Sequence, residues 1–366
     1  MIFINEQRPL DLALDRVAAQ PEVAVDTEAD SLHSYFDKVC LIQISVPGED
    51  LIIDPLKRVD LSRFGALLAD RNVTKILHGA DYDLRILNRD FGFTIANVID
   101  TMVCAQLLGY EAIGLAALLD RHFGIKVDKT HQRADWSQRP LPRDMLEYAA
   151  TDTRHLLDLV SRLRDELRAL GRWEWALEEF SRLEMIRWAE KDDEGEPFRR
   201  LKGLGGLDRR TLAIVAALYN YRDRRARDAD RPPFKIFSND AIMETAKLRP
   251  QTDADLPKVK ALSPPHRQRH GREIVRLVNE ALALPEEQLP ERGETKPWLR
   301  DRDLEGRVNK LRKVRDRIAE DLKIDASVVA PRHVLTAIAA NGTLDVPGMR
   351  EWQKAVFGAA ALEALL

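Results

Sequence analysis

Residues 22–54, EVAVDTEADSLHSYFDKVCLIQISVPGEDLIID, decide how the first half of this chain is built. EVAVD and LIQISV are short apolar runs rich in β-branched residues, the pattern of buried strands. Pro47, Gly48, Glu49 and Asp50 form a turn signal between two apolar runs, so LIQISVPGEDLIID reads as a β-hairpin. Asp26 and Glu28 lie two apart near the end of the first strand, and because strand side chains alternate, both carboxylates point to one face. Two hard oxygen donors side by side suit a divalent cation, although such a pair also fits a solvated strand end.

Outward from this stretch, helical and extended patterns alternate: a short helix from Leu61 to Asp70, the strand TKILHG, a helix from about Tyr82, the strand-like ANVID, and helices Thr101–Leu108 and Leu115–Phe123. The alternation predicts an α/β domain with a mixed sheet. RDMLEYAATDTRHLLDLVSRLRDELRALG reads as one long helix that opens after Pro142, stops at Gly171 and turns Met145, Leu146, Ala149, Leu156, Leu157, Val160 and Leu163 inward. Asp83 follows TKILHG at the start of a helix, hence at the carboxyl end of a strand, where open α/β sheets place ligands. The helix dipole also favours an acid there. Tyr148 and Asp152 are four apart on a helix, neighbours on one face, among small residues that let that face approach another element.

After Gly171 strand signals fade, and helical pattern is broken by Pro and Gly clusters at 195–206, 231–233, 264–265 and 285–297. Two small all-helical domains are expected there. FSNDAIMETA and VAPRHVLTAI match weakly at an offset of 92 residues (Ser238 to Ala330), which suggests an internal duplication. The 366 residues are 45% hydrophobic and 32% charged, the composition of a globular protein of two or three domains. No run of about 18 apolar residues is present and the N-terminus lacks a signal-peptide pattern, so a cytoplasmic location and no membrane association are expected. Cys40 and Cys104 are the two cysteines, both in apolar stretches, which excludes a disulfide framework or a cysteine zinc site. The net charge of −3 carries no global nucleic-acid signature. Local basic runs exist: 222–231 holds five Arg against three Asp, and 307–317 six basic residues against one Asp.

An acid pair on a first strand, an acid after a later strand and Tyr-x-x-x-Asp on a late helix resemble, in that order, the DEDD exonuclease superfamily, in the subgroup with tyrosine in its last motif. DTEADSLHSYFDKVCLIQIS, KILHGADYDLRIL, NVIDTMVCAQLL and ADWSQRPLPRDMLEYAATDTRHLL are similar to the ribonuclease D family and the exosome-associated nuclear exonuclease. YNYRDRRARDADRPPFKIFSNDAIMETAKLRPQTDADL looks like an HRDC domain, a small helical nucleic-acid-binding module of which the family typically carries two. The second copy lacks the Asp-x-Pro-Pro-Phe region and is inferred from position. The resemblance implies a ribonuclease H-like α/β exonuclease domain at 1–171, a helical linker at 172–205, an HRDC domain at 206–284 and an HRDC-like domain at 293–366.

It further implies a metal-dependent 3′-to-5′ exoribonuclease that acts on RNA with a free 3′ end, such as transfer-RNA precursors or other small structured RNAs, and works as a monomer. Two divalent ions, Mg²⁺ or Mn²⁺, would be held by Asp26, Glu28, Asp83 and Asp152. Asp26, Glu28 and Asp152 would serve the water-activating ion, and Asp26 and Asp83 the ion at the leaving oxygen. Tyr148, with an ordinary pKa of about 10, is poorly matched to act as a base and would orient the water. His33, Tyr35, His78, Tyr82 and Trp136 are candidates to stack on the terminal base, Trp136 being better suited to packing. Lys129, Gln132 and Arg139 could hold the penultimate phosphates. Asp100 matches a recurrent family position outside the four carboxylates and would support them. A DNA 3′-to-5′ exonuclease would use the same acids, but the helical C-terminal half favours RNA. A silent RNA-binding adapter would have lost one of them.

Overall fold

The computed structural model describes residues 1–128, 130–189, 196–292 and 301–366, in two compact units. The first comprises residues 1–29, 38–188 and the described part of 300–366; the second comprises 30–37 and the described part of 189–299.

The first unit is built on a six-stranded mixed sheet. Its strands are β1 (Ile2–Ile4), β2 (Glu22–Ala29), β3 (Val39–Val46), β4 (Glu49–Ile53), β5 (Thr74–Leu77) and β6 (Val98–Asp100), in the order β1-β4-β3-β2-β5-β6. β3 and β4 form the expected hairpin around Pro47-Gly48, with Gly48 at a φ of 81° that a β-carbon would resist. All eight residues of β3 are buried, which explains its unbroken apolar run: both faces of this central strand are covered by helices. β2 pairs antiparallel with β3 and parallel with β5. The parallel pairing brings the carboxyl ends of β2 and β5 to one side of the sheet, so Asp26 and Glu28 share that side with the start of helix Asp81–Phe91.

Three features before residue 300 differ from the sequence reading. Strand β1 and helix Gln7–Ala18 precede Glu22, the helix burying Leu10, Ala13, Leu14 and Val17. The single long helix is two, Arg143–Arg154 and Leu156–Ala169, broken at His155. The first packs on β2, β3 and β4, the second on β2, β5 and helix Thr101–Leu108, and one straight rod cannot serve both surfaces. Helix Trp173–Leu183, placed by the sequence in a linker, is part of this unit and buries Ala176 and Phe180 in its core.

The described residues beyond 300, expected as a separate helical domain, instead belong to the same unit, because their apolar residues pack into its core. Trp352 stacks on Trp175 at 4.7 Å, Arg350 pairs with Glu179 at 2.9 Å, and Arg172 donates to the carbonyls of Leu107 and Leu322, each at 2.7 Å. The second unit has its own core around Leu212, Ile214, Val215, Leu218, Phe237, Ile242, Val259, Ile274 and Val278. Its long helix Arg209–Asp228 is followed by one-turn helix Pro233–Ile236 and helix Asn239–Leu248, with lengths of 20, 4 and 10 residues. Helices Arg302–Leu322, Ala326–Val329 and Arg332–Asn341 repeat that succession with 21, 4 and 10 residues. The order and lengths support a duplication more strongly than the short sequence match.

Gly109, at a φ of 78°, caps helix Thr101–Leu108, and a β-carbon there would lie 1.7 Å from the Lys323 carbonyl oxygen. Gly109→Ala is expected to destabilise the first unit by about 1–3 kcal/mol through left-handed backbone strain alone, and further through the clash. Thermal denaturation reads this as a drop of about 2–4 °C per kcal/mol; an unchanged melting temperature would refute the packing described.

Candidate active site

Asp26 and Glu28 stand on the face of β2 that helix Arg143–Arg154 covers, and that helix brings Asp152 to them. Carboxylate oxygens of Asp26, Glu28 and Asp152 lie within 4.8 Å of one another, and all three side chains are half-buried. Asp83, in the first turn of helix Asp81–Phe91, is 7% exposed and stands outside this trio. Its carboxylate accepts a hydrogen bond from the Thr27 hydroxyl, the side chain between the two β2 acids.

The electrostatics are those of like charges confined together. Burial, then the carboxylates of Asp83, Asp152 and Glu28, hold Asp26 well above the ordinary carboxylate range. Burial and the neighbouring Asp152 and Asp83 do the same to Glu28. Burial pushes Asp83 up to about 6, against the hydrogen bond from Thr27, and pushes Asp152 up to about 7. Tyr148, one helical turn before Asp152, is raised above its ordinary value by burial and by Asp152, Glu28 and Asp26. Several hard oxygen donors, each reluctant to ionise for want of a counter-charge, form a donor set that fits divalent cations.

Long-range contacts set the helix over the sheet. Ser45 and Thr153 share a hydrogen bond of 2.7 Å, and Arg154 pairs with Asp50 at 2.7 Å, which fixes the turn carrying Asp152 to the β3–β4 hairpin. Trp136, 1% exposed, packs against Tyr148 with ring centroids 6.1 Å apart, and His131 meets the other ring edge at 5.8 Å. Trp136 is thus enclosed in packing and cannot stack on a base. Asp100 accepts from the backbone N–H groups of Gly79, Ala80, Met102 and Val103, tying the turn ahead of Asp83 to the start of helix Thr101–Leu108.

The expected substrate contacts separate. Arg139 is corrected: all five of its N–H donors are taken, by Asp54 at 2.7 and 2.8 Å and by the carbonyls of Trp136, Gln138 and Cys40 at 2.8, 2.7 and 2.9 Å. With no donor left for a phosphate, it holds the segment 136–139 to β3 and to Asp54 beyond β4. Tyr35 belongs to the second unit, where its hydroxyl donates to Asp223 at 2.7 Å, and His33 of the same segment lies 3.4 Å from Lys235. His78 contacts Thr101 at 2.9 Å and is held below its ordinary pKa by burial. Tyr82, next to Asp83, is 45% exposed, and Gln132 is exposed. Lys129 lies outside the described residues. Thr27, His131 and the Ser45–Thr153 pair escaped sequence reading; only the adjacency of Thr27 to Asp26 and of Thr153 to Asp152 hinted at two of them.

A carboxyl raised in the folded state binds its proton more tightly there than in the unfolded chain, so its contribution to stability is complete below about pH 4 and is lost as pH rises through the folded pKa. In EDTA, Asp152→Asn is therefore expected to melt near the wild-type temperature at about pH 4 and progressively above it as pH passes 7. Differential scanning calorimetry across that range checks it, and a gap that narrows with rising pH would contradict the site's electrostatics.

Residues 1–168 match the 3′-5′ exonuclease family and residues 211–278 the HRDC domain family. The ribonuclease D of Nitrobacter hamburgensis is 32% identical over 99% of this chain and 94% of its own length. The crystal structure of Escherichia coli ribonuclease D, an exoribonuclease involved in structured RNA processing, superposes with a TM-score of 0.71 at 27% identity, over 99% of this chain and 98% of that one. A Bifidobacterium adolescentis protein superposes with a TM-score of 0.83 at 27% identity, over 100% of this chain and 97% of that one. Full-length similarity to these proteins, joined to a carboxylate cluster on the exonuclease sheet, places the chain in the ribonuclease D family of 3′-to-5′ exoribonucleases.

Proposed function

We propose that this chain shortens RNA stepwise from a free 3′ end, releasing 5′-mononucleotides, with Asp26, Glu28, Asp83 and Asp152 as ligands of two divalent ions. The observation that carries the reading is the meeting of Asp26, Glu28 and Asp152 within 4.8 Å, with Asp83 close enough to raise the pKa of both β2 acids. Bound there, Mg²⁺ or Mn²⁺ supplies an activated water at neutral pH and neutralises charge on the attacked phosphate and the leaving 3′ oxygen.

The protein's own groups do the rest. Asp26 is suited to be shared between the two ions, because it meets Glu28 and Asp152 within 4.8 Å and also feels the carboxylate of Asp83, which stands outside that trio. Tyr148 keeps its proton at neutral pH, since its pKa lies above even the ordinary phenol value, so its hydroxyl orients the attacking water and does not abstract from it. His131 and Trp136 hold the Tyr148 ring from two directions. Tyr82, exposed beside Asp83, would stack on the terminal base, while His78 would support the turn and Gln132 would offer an amide to the backbone. Small structured RNAs, transfer-RNA precursors among them, are the proposed substrates of a monomer acting in the cytoplasm; among the described residues no helix is long and apolar enough to cross a membrane.

Incubating 5′-labelled single-stranded RNA and the matching DNA with the protein and Mg²⁺ or Mn²⁺ tests the activity. A ladder shortening from the 3′ end of RNA, absent with EDTA and with Asp83→Asn, is expected; internal cuts, metal-independent decay, preference for DNA or full activity of Asp83→Asn would overturn the proposal. For Tyr148→Phe, kcat is expected to fall by about 100-fold or more, the scale of a positioned proton-transfer or orienting group. Its Mn²⁺ affinity by calorimetry should stay at the wild-type value, and wild-type turnover would remove the role given to Tyr148.

A further inference from the structure

Among the described residues, five buried side-chain atoms have no protein hydrogen-bond partner: both polar atoms of Gln43, Nε1 of Trp136, and Nε of Arg164 and of Arg222. The two arginines bond through their other nitrogens, to Glu22 and to Asn239 and the Phe237 carbonyl. Gln43 and Trp136 have no such compensation, and both lie against the elements that carry the acid cluster. A buried amide with neither end satisfied forfeits its hydration without replacement. Such a residue at this place calls for an account.

The sheet register supplies one. Gln43 on β3 sits directly opposite Asp26 on β2, and opposed residues share a face with β-carbons about 4.5–5.5 Å apart. On its other flank β4 presents Ile52, which has no polar side-chain atom. Along its own row Leu41 is apolar, and Ser45 is already engaged with Thr153 and Asp50 at 2.7 and 2.8 Å. Within the sheet, the carboxylate of Asp26 is the polar group left across from the amide. A glutamine amide brings two N–H donors and no charge, so it can bind a carboxylate without competing for a cation as a lysine would. Carboxylates that ligate metals are themselves oriented by such outer hydrogen bonds.

We propose that Gln43 is a positioning residue for Asp26: its Nε2 donates to the Asp26 carboxylate when that group ligates an ion, and so determines which oxygen turns to the ion. The inference rests on Asp26 being a metal ligand, as proposed above.

Gln43→Met keeps the side-chain length and removes both polar atoms. In EDTA its melting temperature is expected to rise, since an unsatisfied buried amide is gone, while its Mn²⁺ affinity by titration calorimetry falls about 10- to 100-fold. Ile52→Val, on the adjoining strand, should lower the melting temperature and leave Mn²⁺ affinity unchanged, which separates packing from positioning. Mn²⁺ affinity of Gln43→Met within twofold of wild type would overturn the proposal. A crystal structure of the wild-type protein with Mg²⁺ is the second arm: Nε2 of Gln43 is expected within hydrogen-bond range of an Asp26 oxygen, and a separation beyond about 3.5 Å would overturn it. Absence of Mn²⁺ binding by the wild type would remove the metal-site reading and this inference together, whereas wild-type binding with an unaffected Gln43→Met removes this inference alone.

Discussion

Repulsion among Asp26, Glu28 and Asp152, whose oxygens are held within 4.8 Å, is the constraint around which the first unit is organised. Two full charges about 4 Å apart repel by about 4 kcal/mol at an effective dielectric of about 20, a large fraction of the roughly 5–15 kcal/mol that holds a domain folded. The cluster persists only if protons or cations neutralise it and if the backbone cannot spread to relieve it. Raised pKa values at Asp26, Glu28, Asp83 and Asp152 reflect the first of these conditions. The sheet supplies the second.

β2 is clamped between β3 and β5, so the spacing of Asp26 and Glu28 is set by backbone hydrogen bonds that the carboxylates cannot alter. Asp152 is held on the opposing helix by Ser45–Thr153 and Arg154–Asp50, and Tyr148 by the Trp136 and His131 rings. The Arg139–Asp54 pair shows the same division of labour. A guanidinium that could have met a phosphate is spent on anchoring the segment that carries Trp136.

The helical half of the chain shows one succession of helix lengths in two settings. The copy around 209–283 encloses its own core, with Phe237 and Val259 among its fully buried residues. The copy beyond 301 instead shares a core with the exonuclease sheet and its helices, through Trp352 on Trp175, Arg350 on Glu179 and the close approach of Lys323 to Gly109. Both segments have a long helix, a single turn and a ten-residue helix, although their sequences match only weakly.

The residues themselves determined much of this. Period-two and apolar runs located β2 to β6, the Pro47-Gly48 turn set the hairpin, and the two-residue spacing in β2 with the four-residue spacing in the later helix put each acid on a definite face. Motif order then pointed to the family. These are local properties, legible because they depend on neighbours within about four positions. What the tertiary structure alone decided lies at long separation: the break at His155, the capture of Arg139 by an acid 85 residues away, the pairing of Ser45 with Thr153 at a separation of 108, and the opposition of Gln43 to Asp26. No local pattern encodes which strand lies beside which or which donor is already taken. Those answers appear only when sheet order and helix docking bring distant residues within a hydrogen bond of each other.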